Sequence, residues 1–252
     1  MAWYSGNMTA AAGELKAILD VNLILNPFWH IEDAGAGANI GVYHNDDPAL
    51  ASDFIFVVRD NQANYATVEV WQGWNSGIHA GTGDSLASAN YTWRKFLSVW
   101  GLAVSDHRCI YVNYENAQAF YVGQLIRFDD TKNMPVLIAC TSAYASNPLG
   151  FLWAAGNCYY LVLYDENGAT GKFFRQWYPA SGYIKTSNGK YYLLETPVFQ
   201  TTSLLLLGLE EGVCWCGLAN GLVNKDIVID TASVEWLSVY SGAPYECLIR
   251  KA

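Results

Sequence analysis

Two stretches of sequence decide the fold of this chain: Asp53-Phe-Ile-Phe-Val-Val58 and Tyr65-Ala-Thr-Val-Glu-Val-Trp71. The first is an unbroken apolar run of strand length, which is typical of a buried strand. The second places an apolar residue at every other position, as expected of an antiparallel strand with one buried face. The segment Arg59-Asp-Asn-Gln62 between them favours a turn. We therefore predict a pair of antiparallel strands at the centre of the fold.

Short apolar segments separated by turn residues continue through the rest of the chain. Arg108-Cys-Ile-Tyr-Val-Asn-Tyr114 and residues 117–128 are predicted to form a hairpin around Glu115-Asn116. Asn188-Gly189 suits a type I′ turn between two further strands. Other strands are predicted at residues 135–140, 150–153, 157–164, 203–209, 213–216, 227–230 and 234–239. About twelve strands with turns every eight to twelve residues indicate a mainly β protein, built as an antiparallel β-sandwich or as barrel-like domains.

One α-helix is predicted before these strands, over residues 10–25. Thr9 or Asn7 offers an N-cap. Asn26-Pro27 ends the helix, because the residue before a proline is pushed out of the helical region. Four apolar residues recur along the helix at helical spacing. They are Leu15, Ile18, Leu19 and Leu23. We take this stripe as a candidate contact between subunits.

The chain is thus divided into an N-terminal helical segment, residues 1–30, and a β-rich domain, residues 31–252. A subdivision near residues 145–150 stays open. Residues 73–90 are rich in Gly, Ser, Asn and Thr and are predicted to form a long loop. Because loops of this length are uncommon inside compact domains and often make contacts, this segment is a second candidate for a contact between subunits.

The composition indicates a folded protein with more aromatic side chains than one core requires. Hydrophobic residues make up 52% of the 252 residues. Charged residues make up 15%, against roughly 25% in an average domain. The 17 Tyr, 10 Trp and 10 Phe exceed what one core needs. Since aromatic residues are enriched at protein interfaces, part of this surplus is expected in contacts between subunits.

The charge balance excludes two classes of partner. The formal net charge is −9, and the 14 Lys and Arg residues are spread thinly along the chain. Nucleic-acid binding requires a basic patch, and anionic membranes attract clustered basic residues, so neither partner is expected. No secretion signal and no membrane-spanning run are recognised. We therefore expect the protein to be made and to fold in a cytoplasm.

The cysteines are expected to be buried free thiols rather than disulfides. Six occur, and most lie inside apolar strand-like runs such as Val136-Leu-Ile-Ala-Cys140. Disulfide frameworks belong to short secreted chains, whereas a free cysteine behaves as a small hydrophobic residue. Cys214-Trp-Cys216 has no second thiol pair to complete a soft-metal site, so core packing is the better interpretation of it as well.

No motif in the sequence carries recognisable catalytic, cofactor or metal chemistry. The four histidines lie outside the spacings used by zinc ligands. His44-Asn-Asp-Asp47 could hold a hard cation, but a polar turn explains it better. Asp106-His107 could form a pair, but a turn entering a strand explains it better. We therefore predict no catalytic residues, no metal, no cofactor and no enzymatic activity.

A binding surface for sugars is the main alternative. Trp71, Trp74 and Trp93 are candidate aromatic platforms for sugar rings or for a protein interface. A glycosidase would also need two carboxylates at a set separation. The adjacent acids available are Asp46, Asp47, Asp129, Asp130, Glu210 and Glu211. Nothing in the sequence sets a distance between them, so a polysaccharide hydrolase is the weaker alternative.

The N-terminal part of the chain resembles minor structural proteins of tailed bacteriophages. The resemblance covers residues 1–155. It is carried by Met1-Ala-Trp-Tyr-Ser-Gly6 with the following helix, by Phe54-Ile-Phe-Val-Val-Arg-Asp60 with Tyr65-Ala-Thr-Val-Glu-Val70, and by residues 111–128 with the turn Thr141-Ser-Ala-Tyr144. No motif within it carries chemistry. Residues 156–252 resemble nothing that we can place.

The resemblance implies a virion component of the tail, baseplate or neck region, assembled in the host cytoplasm. Its partners would be copies of itself and other virion proteins. The alternative consistent with the same setting is a carbohydrate-binding module at the tail tip that recognises a host-surface glycan.

Overall fold

The structure is a computed structural model that describes residues 1–48, 54–85, 92–94, 98–113, 118–124, 126–127, 136–140, 159–162, 172–176, 184–185, 191–200, 206–217, 226–242 and 245–251. The first elements are β1 (Ala2–Met8), α1 (Glu14–Asn22), a 3-10 turn η1 (Leu23–Leu25), β2 (Trp29–Ile31), β3 (Ile40–Asn45), β4 (Phe54–Gln62), β5 (Tyr65–Asn75), β6 (Ala80–Ser85) and β7 (Thr92–Arg94). They are followed by β8 (Ser98–Ser105), β9 (Arg108–Asn113), β10 (Gln118–Gln124), β11 (Ile126–Arg127), β12 (Val136–Cys140), β13 (Tyr159–Val162), β14 (Lys172–Gln176), β15 (Ile184–Lys185) and β16 (Tyr191–Tyr192). The last are β17 (Leu194–Gln200), β18 (Leu206–Gly217), β19 (Ile227–Ile229), β20 (Glu235–Gly242) and β21 (Tyr245–Arg250).

The strands form three antiparallel sheets. A six-stranded sheet has the order β2-β3-β4-β5-β6, with β7 beside β5. A 13-stranded sheet has the order β1-β8-β9-β10-β12-β13-β14-β17-β18-β21-β20-β19, with β11 beside β18, and β15 and β16 form a separate pair. The predicted mainly β, antiparallel fold with one N-terminal helix is confirmed. Both large sheets keep edge strands, so the fold is sandwich-like and the barrel-like alternative is not realised in the described strands.

The main core lies between the six-stranded sheet and strands β8, β9 and β10. One layer is supplied by β3, β4 and β5, through Tyr43, Phe54, Phe56, Val58, Ala66, Val68 and Val70. The other is supplied through Trp100, Leu102, Val104, Cys109, Tyr111, Phe120 and Val122. The ring centroids of Phe56 and Phe120 lie 5.7 Å apart, and Tyr111 stacks on Phe120 at 5.3 Å. Aromatic contacts therefore join the two layers.

Helix α1 is shorter than predicted and is capped from another element. It begins at Glu14 after Gly13, which has a positive φ of 80° and makes no side-chain cap. Thr9 does not cap the helix: its backbone N–H donates to the Glu14 carboxylate at 2.8 Å. The acceptor at the helix start is the buried Asp60 of β4, whose Oδ2 receives the backbone N–H of Leu15 at 2.7 Å. A carboxylate at this position also complements the helix dipole.

The apolar stripe of the helix packs inside the chain. Leu15, Leu19 and Leu23 are completely buried in the main core, and Ile18 packs against it. Leu15, Leu19 and Leu23 have no surface to offer to another subunit, so their assignment to an inter-subunit contact is wrong, because the helical spacing that revealed the stripe marks the side facing the chain's own core. Ile18 is only partly buried, and its assignment stays a prediction. Within the described residues, no helix has the length and apolar character needed to cross a bilayer.

Three local predictions are corrected by the strands around β4 and β5. The predicted turn Arg59–Gln62 is the end of β4, because Asp60 points its carboxylate at α1 rather than closing a turn. The predicted loop 73–90 is, over residues 73–85, the end of β5 and strand β6, and residues 86–90 lie outside the description. The first 30 residues hold β1 and β2 as well as the helix.

Several strand predictions are confirmed. β9 and β10 form the predicted hairpin. β15 and β16 pair on either side of Asn188-Gly189, with Ile184 opposite Tyr192. The strands predicted at 203–209 and 213–216 are joined in the single strand β18, which continues through Gly212 at a positive φ of 81°. The strand predicted at 150–153 and the subdivision near 145–150 lie outside the described residues.

Buried free thiols are confirmed at two of the six cysteines. Cys109 and Cys214 are free and buried, and burial raises the pKa of the Cys109 thiol well above its ordinary value. Such a thiol stays protonated and is a poor nucleophile and metal ligand. The side chains of the other four cysteines lie outside the description.

Candidate functional site

The six-stranded sheet has a second apolar surface, on the side away from the main core. Val42 of β3 and Ile55 and Val57 of β4 are buried there, and Trp71 and Trp74 of β5 pack against them. We call these five residues the tryptophan face. It exists because the run Phe54–Val58 is apolar at every position, so β4 buries side chains on both sides of the sheet.

Trp71 is held in place from two directions. Its Nε1–H donates to Glu69 Oε2 at 3.0 Å. Arg59 Nε–H donates to Glu69 Oε1 at 2.7 Å, so the nearly buried carboxylate is neutralised by a guanidinium. The indole ring lies over Gly81 of β6, where any Cβ atom would clash with it. The glycine in this edge strand is therefore required by the packing of Trp71 rather than by a loop.

Trp74 is held by a buried carboxylate from the loop after β2. Its Nε1–H donates to Asp33 Oδ2 at 2.8 Å, and His79 Nδ1 contacts the same oxygen at 2.7 Å. The other carboxylate oxygen receives the backbone N–H of Gly35 at 2.9 Å. Hydrogen bonds from His79 and Trp74 lower the pKa of Asp33 below its ordinary value of 3.8. Asp33 is therefore ionised at neutral pH and accepts these hydrogen bonds as a carboxylate.

His79 is the exposed member of this group. Its side chain is 46% accessible to solvent, whereas that of Asp33 is 5% accessible. It lies in the hairpin between β5 and β6 with a left-handed φ of 51°, a conformation that costs energy in most residues but less in Asn, Asp and His. The ring is thus oriented by a buried carboxylate and faces solvent beside Trp74. Such an arrangement suits recognition of a polar group on a bound molecule.

The other three histidines are also paired with carboxylates. The pairs are His30 with Asp46 at 3.1 Å, His44 with Glu32 at 3.4 Å and His107 with Asp47 at 3.5 Å. The alternative pairing of His107 with Asp106 is not seen. Among the described residues, no three His, Cys, Asp or Glu side chains are grouped so that they could hold a metal ion.

The structure brings together two of the three predicted tryptophans. Trp71 and Trp74 share the tryptophan face. Trp93 of β7 is paired with Ala66, five residues along β5 from Trp71, which corresponds to about 17 Å of strand. Its side chain lies outside the description. Of the adjacent acids, Asp46 and Asp47 are engaged by histidines, Asp129 and Asp130 lie outside the described residues, and the side chains of Glu210 and Glu211 are not described.

Sequence patterns did not reveal Asp33, Glu69 or His79. Asp33 and His79 are 46 residues apart, and each lies in a stretch whose composition indicates a loop. The one available signal was Glu69, a charged residue in the middle of a strand that is otherwise apolar or aromatic. A charge at such a position requires a partner, and the structure supplies Arg59.

Comparison of the sequence with protein-family models and with curated proteins finds no match. The contacts of the tryptophan face orient two aromatic rings and the carboxylates that bind them.

Proposed function

We propose that this chain is a structural subunit of a tailed-phage virion, from the tail, baseplate or neck region, and that it acts through protein–protein contacts. One observation carries the proposal. The segment from α1 to η1 is apolar on its solvent side as well as on its core side, with Val21 64%, Ile24 43% and Leu25 63% exposed. Exposed aliphatic side chains grouped on one element are typical of a surface that a partner covers.

The contact surface of the helix is therefore the opposite of the predicted one. Val21 and Leu25 are four residues apart and lie on one side of the helical segment. The only charges on α1 beyond Glu14 are Lys16 and Asp20, which pair with each other. The exposed end of this segment therefore favours an apolar partner surface rather than a charged one.

The sequence supports the same proposal in two ways. The resemblance of residues 1–155 to minor structural proteins of tailed phages supplies the setting, with partners among copies of this chain and other virion proteins. The net charge of −9 keeps a free subunit soluble before assembly. In this proposal the protein needs no cofactor, nucleic acid or membrane, and it reaches the virion from the host cytoplasm.

The test is a pair of surface substitutions, Val21→Glu and Leu25→Glu, made together. We expect the variant to unfold at the same temperature as the unmodified chain, because both side chains are exposed. We also expect it to be missing from particles produced by a phage whose own copy of the gene has been deleted. Ile229→Glu, which alters an equally aliphatic but distant residue at 45% exposure, is the matched control. Normal incorporation of the double variant would refute the assignment.

Deleting residues 1–26 is not an informative version of this test. The deletion removes β1 from its sheet and Leu15, Leu19 and Leu23 from the main core. We expect such a chain to be unfolded, since each buried leucine contributes about 2–5 kcal/mol.

A second candidate function is recognition of a host-surface glycan by the tryptophan face. The favouring observation is that Trp71 and Trp74 are only partly buried and stand beside the half-exposed His79. Aromatic rings with adjacent polar groups suit sugar rings. Trp74→Ala is expected to abolish binding on a glycan array, while Ile229→Glu leaves it unchanged. Absence of binding by the unmodified chain at high protein concentration would refute this candidate.

A further inference from the structure

Strand β1 is an edge strand without the usual protection. Its seven residues, Ala2-Trp-Tyr-Ser-Gly-Asn-Met8, include no charge and no proline. All seven pair with β8 in continuous antiparallel register, from Ala2 opposite Val104 to Met8 opposite Ser98. A long, regular, uncharged edge strand is a template for pairing with another strand, and most proteins avoid presenting one.

The other edges of the two large sheets show the protection that β1 lacks. β2 and β19 are three residues long, too short to form an extended ladder. β6 contains two glycines and an aspartate, and its register with β5 shifts between Trp71 and Gly73. Shortness, charge and bulges are the devices that keep edges from pairing. β1 is the exception among these edges.

The outward backbone groups of β1 are available for a new ladder. In an antiparallel edge strand, alternate residues turn their N–H and C=O groups away from the sheet. Within the described residues, the backbone of β1 makes hydrogen bonds to β8 alone. Ala2, Ser5 and Asn7 are exposed, whereas Met8 is buried in the main core. Among the described residues, the strand is thus anchored by its core side and paired along one edge only.

We propose that β1 pairs antiparallel with β1 of a second copy of this chain, across a two-fold axis at Ser5, so that two 13-stranded sheets become continuous. The inference rests on the proposed role as an assembly subunit and specifies one contact in that role. An isologous interface of this kind requires a surface that is complementary to itself.

The sequence of β1 is self-complementary in this register. With Ser5 opposite its own copy, Tyr4 lies opposite Gly6, Trp3 opposite Asn7, and Ala2 opposite Met8. Each larger side chain therefore meets a smaller one. Cross-strand pairs in which a large side chain meets a small one fit without a clash and add to sheet stability.

Electrostatics also favours a second copy at this edge. Two chains of net charge −9 repel each other, and the repulsion is weakest where no charged side chain lies in the contact. β1 meets that condition over its whole length. A strand from a different protein would gain nothing from the self-complementary register. A substitution at Ser5, on the two-fold axis, therefore distinguishes a second copy of this chain from a different protein.

The experiment is a charge swap at Ser5 in the full chain, measured by size-exclusion chromatography with light scattering. We expect the unmodified chain to dimerise. Ser5→Lys and Ser5→Glu each place like charges opposite each other, which should weaken the dimer on the order of fivefold. Mixing the two variants should restore it, because opposite charges then meet. Asn7→Lys mixed with Asn7→Glu is the control, since Asn7 lies opposite Trp3 rather than itself.

Cross-linking gives a second measurement that does not depend on affinity. Ser5→Cys should form a disulfide-linked dimer under mild oxidation, above any background from the unmodified chain, whereas Asn7→Cys should not. A monomeric unmodified chain, or charge-swap variants that dimerise equally alone and mixed, would overturn the inference. Either result leaves the proposed function open to its own test. The Val21 and Leu25 substitutions test incorporation into particles, which does not depend on whether β1 forms this dimer.

Discussion

The two sides of the six-stranded sheet are stabilised differently, although strand β4 contributes to both. On the core side, Phe54, Phe56 and Val58 meet mostly apolar and aromatic neighbours. On the other side, Ile55 and Val57 lie under two tryptophans whose N–H groups are bound by the carboxylates of Glu69 and Asp33. The comparison shows that the first side is stabilised mainly by packing, whereas the second depends on hydrogen-bonded charges at both of its tryptophans.

Truncating a core-side aromatic should have the largest effect. Phe56→Ala removes a completely buried ring that contacts Tyr43 and Phe120. We expect the free energy of unfolding in urea to fall by about 3–5 kcal/mol. Phe56→Leu, which keeps most of the volume, should lose less than half of that. Equal losses in the two variants would indicate that the ring contacts matter more than filled space.

The buried carboxylate of Asp60, on the core side, should be the next most sensitive site. Asp60→Ala removes the acceptor at the start of α1 and leaves the buried backbone N–H of Leu15 without a partner. Leaving such a group unsatisfied costs about 1–3 kcal/mol. Asp60→Asn retains an oxygen and should lose less. Thermal unfolding followed by circular dichroism measures the stability of both variants. An Asp60→Ala variant as stable as the unmodified chain would show that α1 is capped in another way.

A smaller effect is expected on the tryptophan face. Trp74→Phe keeps an aromatic ring but removes the donor to Asp33, for which a typical loss is about 1 kcal/mol. Trp71→Phe removes the donor to Glu69, and we expect a similar loss of unfolding free energy. Urea unfolding of the two variants tests whether the two carboxylates are equivalent. A loss of unfolding free energy as large as that of Phe56→Ala would show that the two sides of the sheet do not differ in this way.

The smallest expected effect lies on the tryptophan face and depends on pH. The folded-state pKa of Asp33 is lowered, so its ionisation stabilises the fold above the ordinary pKa of 3.8. This contribution is lost as the pH falls below that value toward the lowered pKa. Asp33→Asn should therefore be less stable than the unmodified chain at neutral pH, and the difference should shrink on acidification. A difference that does not change with pH would contradict this origin.

Strand patterns predicted most of the fold, because apolar alternation reports directly on burial. The hairpin of β9 and β10 and the central strands β4 and β5 follow from it. β1 escaped prediction because Ala2-Trp-Tyr-Ser-Gly-Asn-Met8 has no clean alternation and few β-branched residues. The Gly-rich strand β6 was predicted to be a loop. Gly81 allows the Trp71 ring to lie close to the backbone of β6, and composition alone does not show such a tertiary requirement.

The candidate site was predictable only in part, for a related reason. Trp71 could be singled out because it lies in an alternating strand, and Trp74 follows it closely. Asp33 and His79 meet through the tertiary fold, and no local pattern links two residues so far apart. The same holds for Asp60, whose role as a helix cap depends on where β4 ends relative to α1.

The order in which the chain is synthesised makes the N-terminal segment dependent on strands that follow much later. Leu15 and Asp60 are 45 residues apart, and Met8 and Tyr111 are 103 apart. At about 5–20 residues per second, β10 leaves the ribosome roughly 5–20 seconds after α1. The leucines of the helix lack their full set of partners throughout that interval. Folding dominated by such distant contacts is slow, so this region should close as one unit after Phe120 has emerged.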